Sequence, residues 1–137
     1  MSSTYTRNKV YTYVYNKVIS SYPSAYISSK YEPVVANFPA VFVREIGNFS
    51  NPANVTLSGT QDVWTSTFEV QIQSNDANTP ATEAYNILSV VDGAFTELFY
   101  VKQAVNVIDN GITGAFRLVA TYRRVTGIAD TMPIVQT

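Results

Sequence analysis

Neither cysteine nor histidine occurs anywhere in the 137 residues. The first absence removes any disulfide framework, thiol nucleophile or cysteine-based zinc site. The second rules out the Ser-His-Asp and Cys-His arrangements, and with them a two-His facial metal site. Charge is scarce as well, at 14% of residues with a net charge of −1, so nothing in the overall balance draws the chain toward nucleic acid. No apolar run approaches the roughly 18 residues of a membrane span, and no basic start leads into an apolar segment, so neither a span nor a signal peptide is expected. The few glycines form no GxGxxG or GxxxxGK phosphate loop. Asp109-Asn110-Gly111 lacks a further acidic ligand at calcium-loop spacing and reads as a turn. Asn48-Phe49-Ser50 and Asn54-Val55-Thr56 match the glycosylation pattern but read as loop residues without a secretory route.

Apolar residues are plentiful. At 46% hydrophobic content a chain of this length can bury a core as one domain, and no repeat or low-complexity segment divides it. Ten Tyr and seven Phe against so little charge suit either a large core or a surface covered by other subunits.

The stretch Thr79 to Phe99 organises the rest. Thr79-Pro80 is a helix start, with a capping hydroxyl followed by a ring whose fixed φ suits the first helical position. Ala84, Ile87, Leu88, Val91, Phe95, Leu98 and Phe99 recur at three- and four-residue spacing and predict one apolar stripe along a single helix. Gly93 within it is expected to mark close packing of the helix on a sheet.

In chain order, residues 4–22 predict a helix from the stripe Tyr11, Val14, Tyr15, Val18 and Tyr22, ending near Ser20 or Ser21 before Pro23. The tyrosines from Tyr5 to Tyr31 are expected to be packing groups with wet hydroxyl ends. Ser24 to Phe38 reads as a connection with a short extended piece at Val34-Val35. Ala40 to Ile46 predicts a strand stopped by Gly47, followed by a loop from Asn48 to Gln61. Asp62 to Gln73 alternates clearly: Trp64, Ser66, Phe68, Val70 and Ile72 face one way, Thr65, Thr67, Glu69, Gln71 and Gln73 the other, so one buried face is predicted. After the organising helix, VKQAVNVID gives a third strand. Asn110-Gly111 marks a hairpin turn into a fourth, TGAFRLVATYRRV, whose Phe116, Leu118, Ala120 and Tyr122 point inward. Gly127 to Thr137 reads as a flexible C-terminal arm. The order α-β-β-α-β-β predicts an α+β fold, a four-stranded antiparallel sheet with two helices on one face.

No spacing among the carboxylates forces two or three of them into a pocket, so no catalytic site is expected. Charge placement is more informative. Arg7, Lys9, Lys17 and Lys30 fall in the first 30 residues without an acid, whereas Asp76, Glu83, Asp92 and Glu97 fall in a stretch without a base. Two solvated helix faces explain this, and so does a head-to-tail contact between subunits, with Lys9 and Lys17 of one copy meeting Glu83 and Glu97 of the next. Arg117 and Arg123, on the outward face of the fourth strand, are the other candidate interface residues.

The set of segments resembles the tail terminators of long-tailed bacteriophages. It comprises FPAVFVREIG (Phe38 to Gly47), VWTSTFEVQIQS, the TEAYNILSVVDGAF helix and FRLVATYRRVTG (Phe116 to Gly127), preceded by a helix. The likeness lies in pattern and not in an invariant motif, so no single residue takes a family role from it. The resemblance implies a structural virion protein without enzymatic activity or cofactor. It would form a ring, commonly of six copies, that caps the tail tube, ends its polymerisation and joins the tail to the head. Its implied partners are copies of itself, the tail tube protein and the head–tail connector protein, with no membrane and no sequence-specific nucleic acid. The implied location is the tail–neck junction of the virion, after assembly in the host cytoplasm. A phage neck or head-completion protein is the nearest alternative. A small-ligand-binding α+β module is the alternative from another class, and a hydrolase ranks third.

Overall fold

The structure, a computed structural model, describes residues 7–30, 37–50, 63–76, 78–108 and 115–127. Its elements are α1 (Arg7–Ser21), β1 (Tyr26–Ser28), β2 (Ala40–Ser50), β3 (Val63–Ser74), α2 (Pro80–Glu97), β4 (Val101–Ile108) and β5 (Phe116–Gly127). The class is α+β. The five strands form one sheet in the order β1-β2-β3-β5-β4, antiparallel throughout except for β1 beside β2.

Both helices cover the same face. Val10, Val14 and Val18 of α1 and Ala84, Ile87, Leu88, Val91, Ala94 and Phe95 of α2 form one core cluster with Val41, Val43, Phe68, Val70, Ile72, Leu118, Ala120 and Tyr122 from the sheet. Removing each large side chain from water contributes about 1.5–3 kcal/mol, so this layer is the main source of stability. Its densest part is aromatic. The Phe95 and Tyr122 rings stack at 4.3 Å, while Tyr100 meets Phe68 and Phe95 edge-on at 5.7 and 5.3 Å.

The sheet is larger than the four antiparallel strands expected from sequence. Tyr26–Ser28, within the segment expected to be a connection, adds a parallel fifth strand in register with Ala40–Phe42. The extended piece expected at Val34-Val35 lies outside the described residues. Strand β2 does not stop at Gly47. A bulge between Glu45 and Gly47 absorbs an extra residue and the strand continues to Ser50, three residues into the expected loop. The remainder of that loop, the arm beyond Gly127, the Asn110-Gly111 turn and the side chain of Trp64 lie outside the described part.

Helix α2 corrects three further expectations. Thr79 makes no side-chain cap. Upstream of the helix, Asp76 Oδ1 instead holds the entry turn, accepting from the backbone N–H of Asn78 and Thr79, each at 2.9 Å. Gly93 sits on the exposed side, with no atom within 4 Å of where a Cβ would be, so close packing is not its reason. Phe99 falls outside the buried stripe. The helix closes in a Schellman arrangement, with the Phe99 N–H bonded to the Thr96 carbonyl and the Tyr100 N–H to the Phe95 carbonyl, both at 2.9 Å. That motif puts Phe99 in the left-handed region, at φ 66°, and leaves its side chain 58% exposed.

Candidate subunit interface

The structure brings together some of the charged residues that the sequence singles out. Because α1 and α2 lie side by side, Lys17 Nζ stands 3.3 Å from Glu97 Oε1 within one chain, and the Tyr13 hydroxyl donates to the same oxygen at 2.5 Å. The Tyr13 bond, followed by the nearby Lys17 ammonium, holds the Glu97 carboxyl below its ordinary value, and the bond to Glu97 raises Lys17. Of the pairs expected between neighbouring copies, Lys17–Glu97 is thus met inside one copy. Glu83 faces the sheet and accepts from Ser74 Oγ at 2.5 Å, while Lys9 is exposed on the first turn of α1.

Arg117 belongs to a polar ladder on the sheet face turned away from the helices. Its Nε and Nη2 donate to Gln71 Oε1 at 3.1 and 2.9 Å, and Gln71 Nε2 donates to Glu69 Oε1 at 3.2 Å. Arg44 closes the far end, donating from Nε and Nη2 to that same Glu69 oxygen at 3.1 and 2.8 Å. The ladder crosses β2, β3 and β5. With Phe42 and Ala40 beside it, it leaves Gln71 only 6% and Gln73 only 2% exposed, which corrects the expectation of a single buried sheet face. Flanking strands cover these amides; their own alternation pattern cannot show it.

On the helix side two polar groups are also closed off. Ser66 Oγ, buried, donates to Glu45 Oε2 at 2.9 Å and shares a hydrogen bond with the Tyr100 hydroxyl at 2.9 Å. The Tyr122 hydroxyl donates to Asp92 Oδ1, while Lys102 Nζ reaches Asp92 Oδ2 at 2.8 Å. Burial, and then the Asp92 carboxylate, push the Tyr122 phenol well above its ordinary value.

What remains open is the β4 side of the sheet. Six of the eight residues of β4 are exposed and only Val105 and Ile108 are partly covered. Val101 is 63% and Val107 55% exposed. Beside them Phe99, Val101, Gln103, Arg123, Arg124 and Val125 line a groove of about 310 Å³. Arg124 supports its wall, with the guanidinium 5.4 Å from the Phe99 ring centroid and Nη1 donating to the Phe99 carbonyl at 3.4 Å. Of the candidate residues only Arg123 belongs to this groove. Sequence reasoning missed Phe99 and the β4 edge. The signal was present in VKQAVNVI, a strand with apolar residues on both faces.

Among the described residues no group of three His, Cys, Asp or Glu could hold a metal, and no helix is long and apolar enough to cross a membrane. No family of known proteins matches the chain, and no curated protein is similar to it.

Proposed function

We propose that this chain is a structural subunit of a ring that caps a phage tail tube, stops its polymerisation and joins the tail to the head connector. The observation that carries this reading is the state of β4 and Phe99: six of the eight residues of this edge strand, Val101 and Val107 among them, and an aromatic ring beside it face solvent. Exposed apolar surface beside an unpaired strand edge is what a subunit offers to a neighbour. The pattern resemblance to tail terminators names the assembly. A small-ligand module gains no support from the groove, which lies on the sheet rim and not between helices and sheet.

Two measurements test the proposal. The mass of the purified protein in solution should be that of a closed multimer. In particles assembled without the protein, electron microscopy should show tails of uncontrolled length that carry no head. Normal tails with leaking heads would favour a neck or head-completion role, and a protein that stays monomeric at every concentration would contradict the ring.

A further inference from the structure

We infer that the outer edge of β4 is where a second copy of this chain docks, pairing antiparallel with that copy's β2 along Val43–Ser50. The inference deepens the ring reading and rests on it.

The two devices that normally keep a strand edge from pairing are both confined to the start of β4. A lysine is the usual guard, yet Lys102 is drawn onto α2 by Asp92 at 2.8 Å and is not directed along the edge. A bulge is the other usual device, and the one in β4 falls between Lys102 and Ala104, leaving Ala104–Ile108, AVNVI, as a regular uncharged run. Beside the strand, one residue is unfavourable in two ways. Phe99 occupies the Schellman position normally given to glycine, a left-handed conformation unfavourable for a residue with a side chain, and also leaves its ring more than half exposed. Neither feature helps the lone subunit, and a docked neighbour would account for the exposed ring.

A second copy fits this edge because the sheet has a matching one. Strand β1 covers only Ala40–Phe42 of β2. From Val43 to Ser50 no described strand lies beside β2, and the bulge residue Ile46 is 48% exposed there. That stretch is as long as β4. Through the three antiparallel pairings β2-β3, β3-β5 and β5-β4, β4 runs opposite to β2, so β4 of one copy beside β2 of the next continues the alternation. The two edges differ, which makes the contact heterologous; with a closing rotation such contacts give a ring, and otherwise a filament.

The absence of native cysteine makes the test clean. Subunits carrying Asn106→Cys are mixed with subunits carrying Ile46→Cys and treated with a short bis-thiol reagent. The inference expects cross-linked mixed pairs, with neither variant cross-linking to itself. Self-linked Asn106→Cys would mean a two-fold β4–β4 contact and would overturn it. In parallel, Ala104→Lys with Val107→Lys should lower the association constant tenfold or more at an unchanged melting temperature. Phe99→Gly should weaken association while leaving the subunit as stable as the parent or more so. If these variants assemble like the parent while the parent forms a ring, the edge pairing is wrong and the ring reading stands. A parent that never assembles defeats both.

Discussion

Strands β3 and β4 belong to the same sheet and are both rich in β-branched residues, yet they sit in opposite environments. Every position of β3 from Thr65 to Ser74 is buried or partly buried, with helices on one side and the Arg44–Glu69–Gln71–Arg117 ladder on the other. In β4 only two positions are even partly covered. The difference is one of place. Strand β3 has a partner on each edge, and α2 lies over it; among the described residues β4 pairs with β5 alone and meets α2 through Lys102 and Asp92. Apolar side chains in β3 hold the subunit together, whereas in β4 only Val105 packs against the core and Val101 and Val107 lie mostly in solvent.

The comparison breaks most readily through side-chain truncation. Phe95→Ala, which removes the ring stacked on Tyr122, should destabilise the subunit by about 3–5 kcal/mol, and Leu118→Ala by about 2–5 kcal/mol. Val107→Ala should change denaturant stability by less than about 0.5 kcal/mol, as expected of an exposed position. If Val107→Ala were as damaging as either core change, β4 would be part of the core and the contrast would fail.

A smaller effect is expected on the polar face of β3. Gln71→Ala removes a buried amide and leaves Arg117 and Glu69, both partly buried, without it, and should cost about 1–3 kcal/mol in a denaturant melt. Arg117→Ala should reproduce part of that loss. Arg123→Ala, on an exposed side chain at the groove, should not. A null result at Gln71 would mean that the ladder is no more than a solvated surface.

The pH dependence sharpens the same picture on the helix side. Tyr122 in the folded chain keeps its proton past the ordinary tyrosine value of about 10, while the unfolded chain releases it. Its contribution is therefore fully present below about pH 10 and is lost as pH rises beyond that point. Thermal melts from pH 8 to 11 should show stability falling at the alkaline end. Tyr122→Phe should flatten the fall, and an unchanged slope would mean that the phenol titrates freely.

The smallest effect expected is a gain. Gly93 is an open, solvent-facing helix position, so Gly93→Ala should stabilise by up to about 1 kcal/mol. A loss would restore the close-packing explanation that the geometry removes.

How much of this was legible in the sequence follows from what each feature depends on. Helix α2 and the inward set Phe116, Leu118, Ala120 and Tyr122 came from local periodicity, which a single segment carries. Strand β1 was not legible because three residues have no periodicity, and their strand character comes from pairing with Ala40–Phe42. The burial of Gln71 and Gln73 depends on Phe42 and Arg117, brought beside them by two other strands. Lys17 and Glu97 looked like partners from different copies because 80 residues separate them in the chain; the packing of α1 on α2 makes them neighbours. Phe99 looked like the end of an apolar stripe, and only the closing turn of the helix reverses its direction.

Amide hydrogen exchange across β4, followed above and below the concentration at which the protein assembles, tests the central claim most directly. Amides of Ala104–Ile108 that point away from β5 should exchange freely in the dilute subunit and become protected on assembly, together with outward amides of β2 from Glu45 to Gly47. Assembled protein in which the β4 amides still exchange as in the dilute subunit would contradict the account.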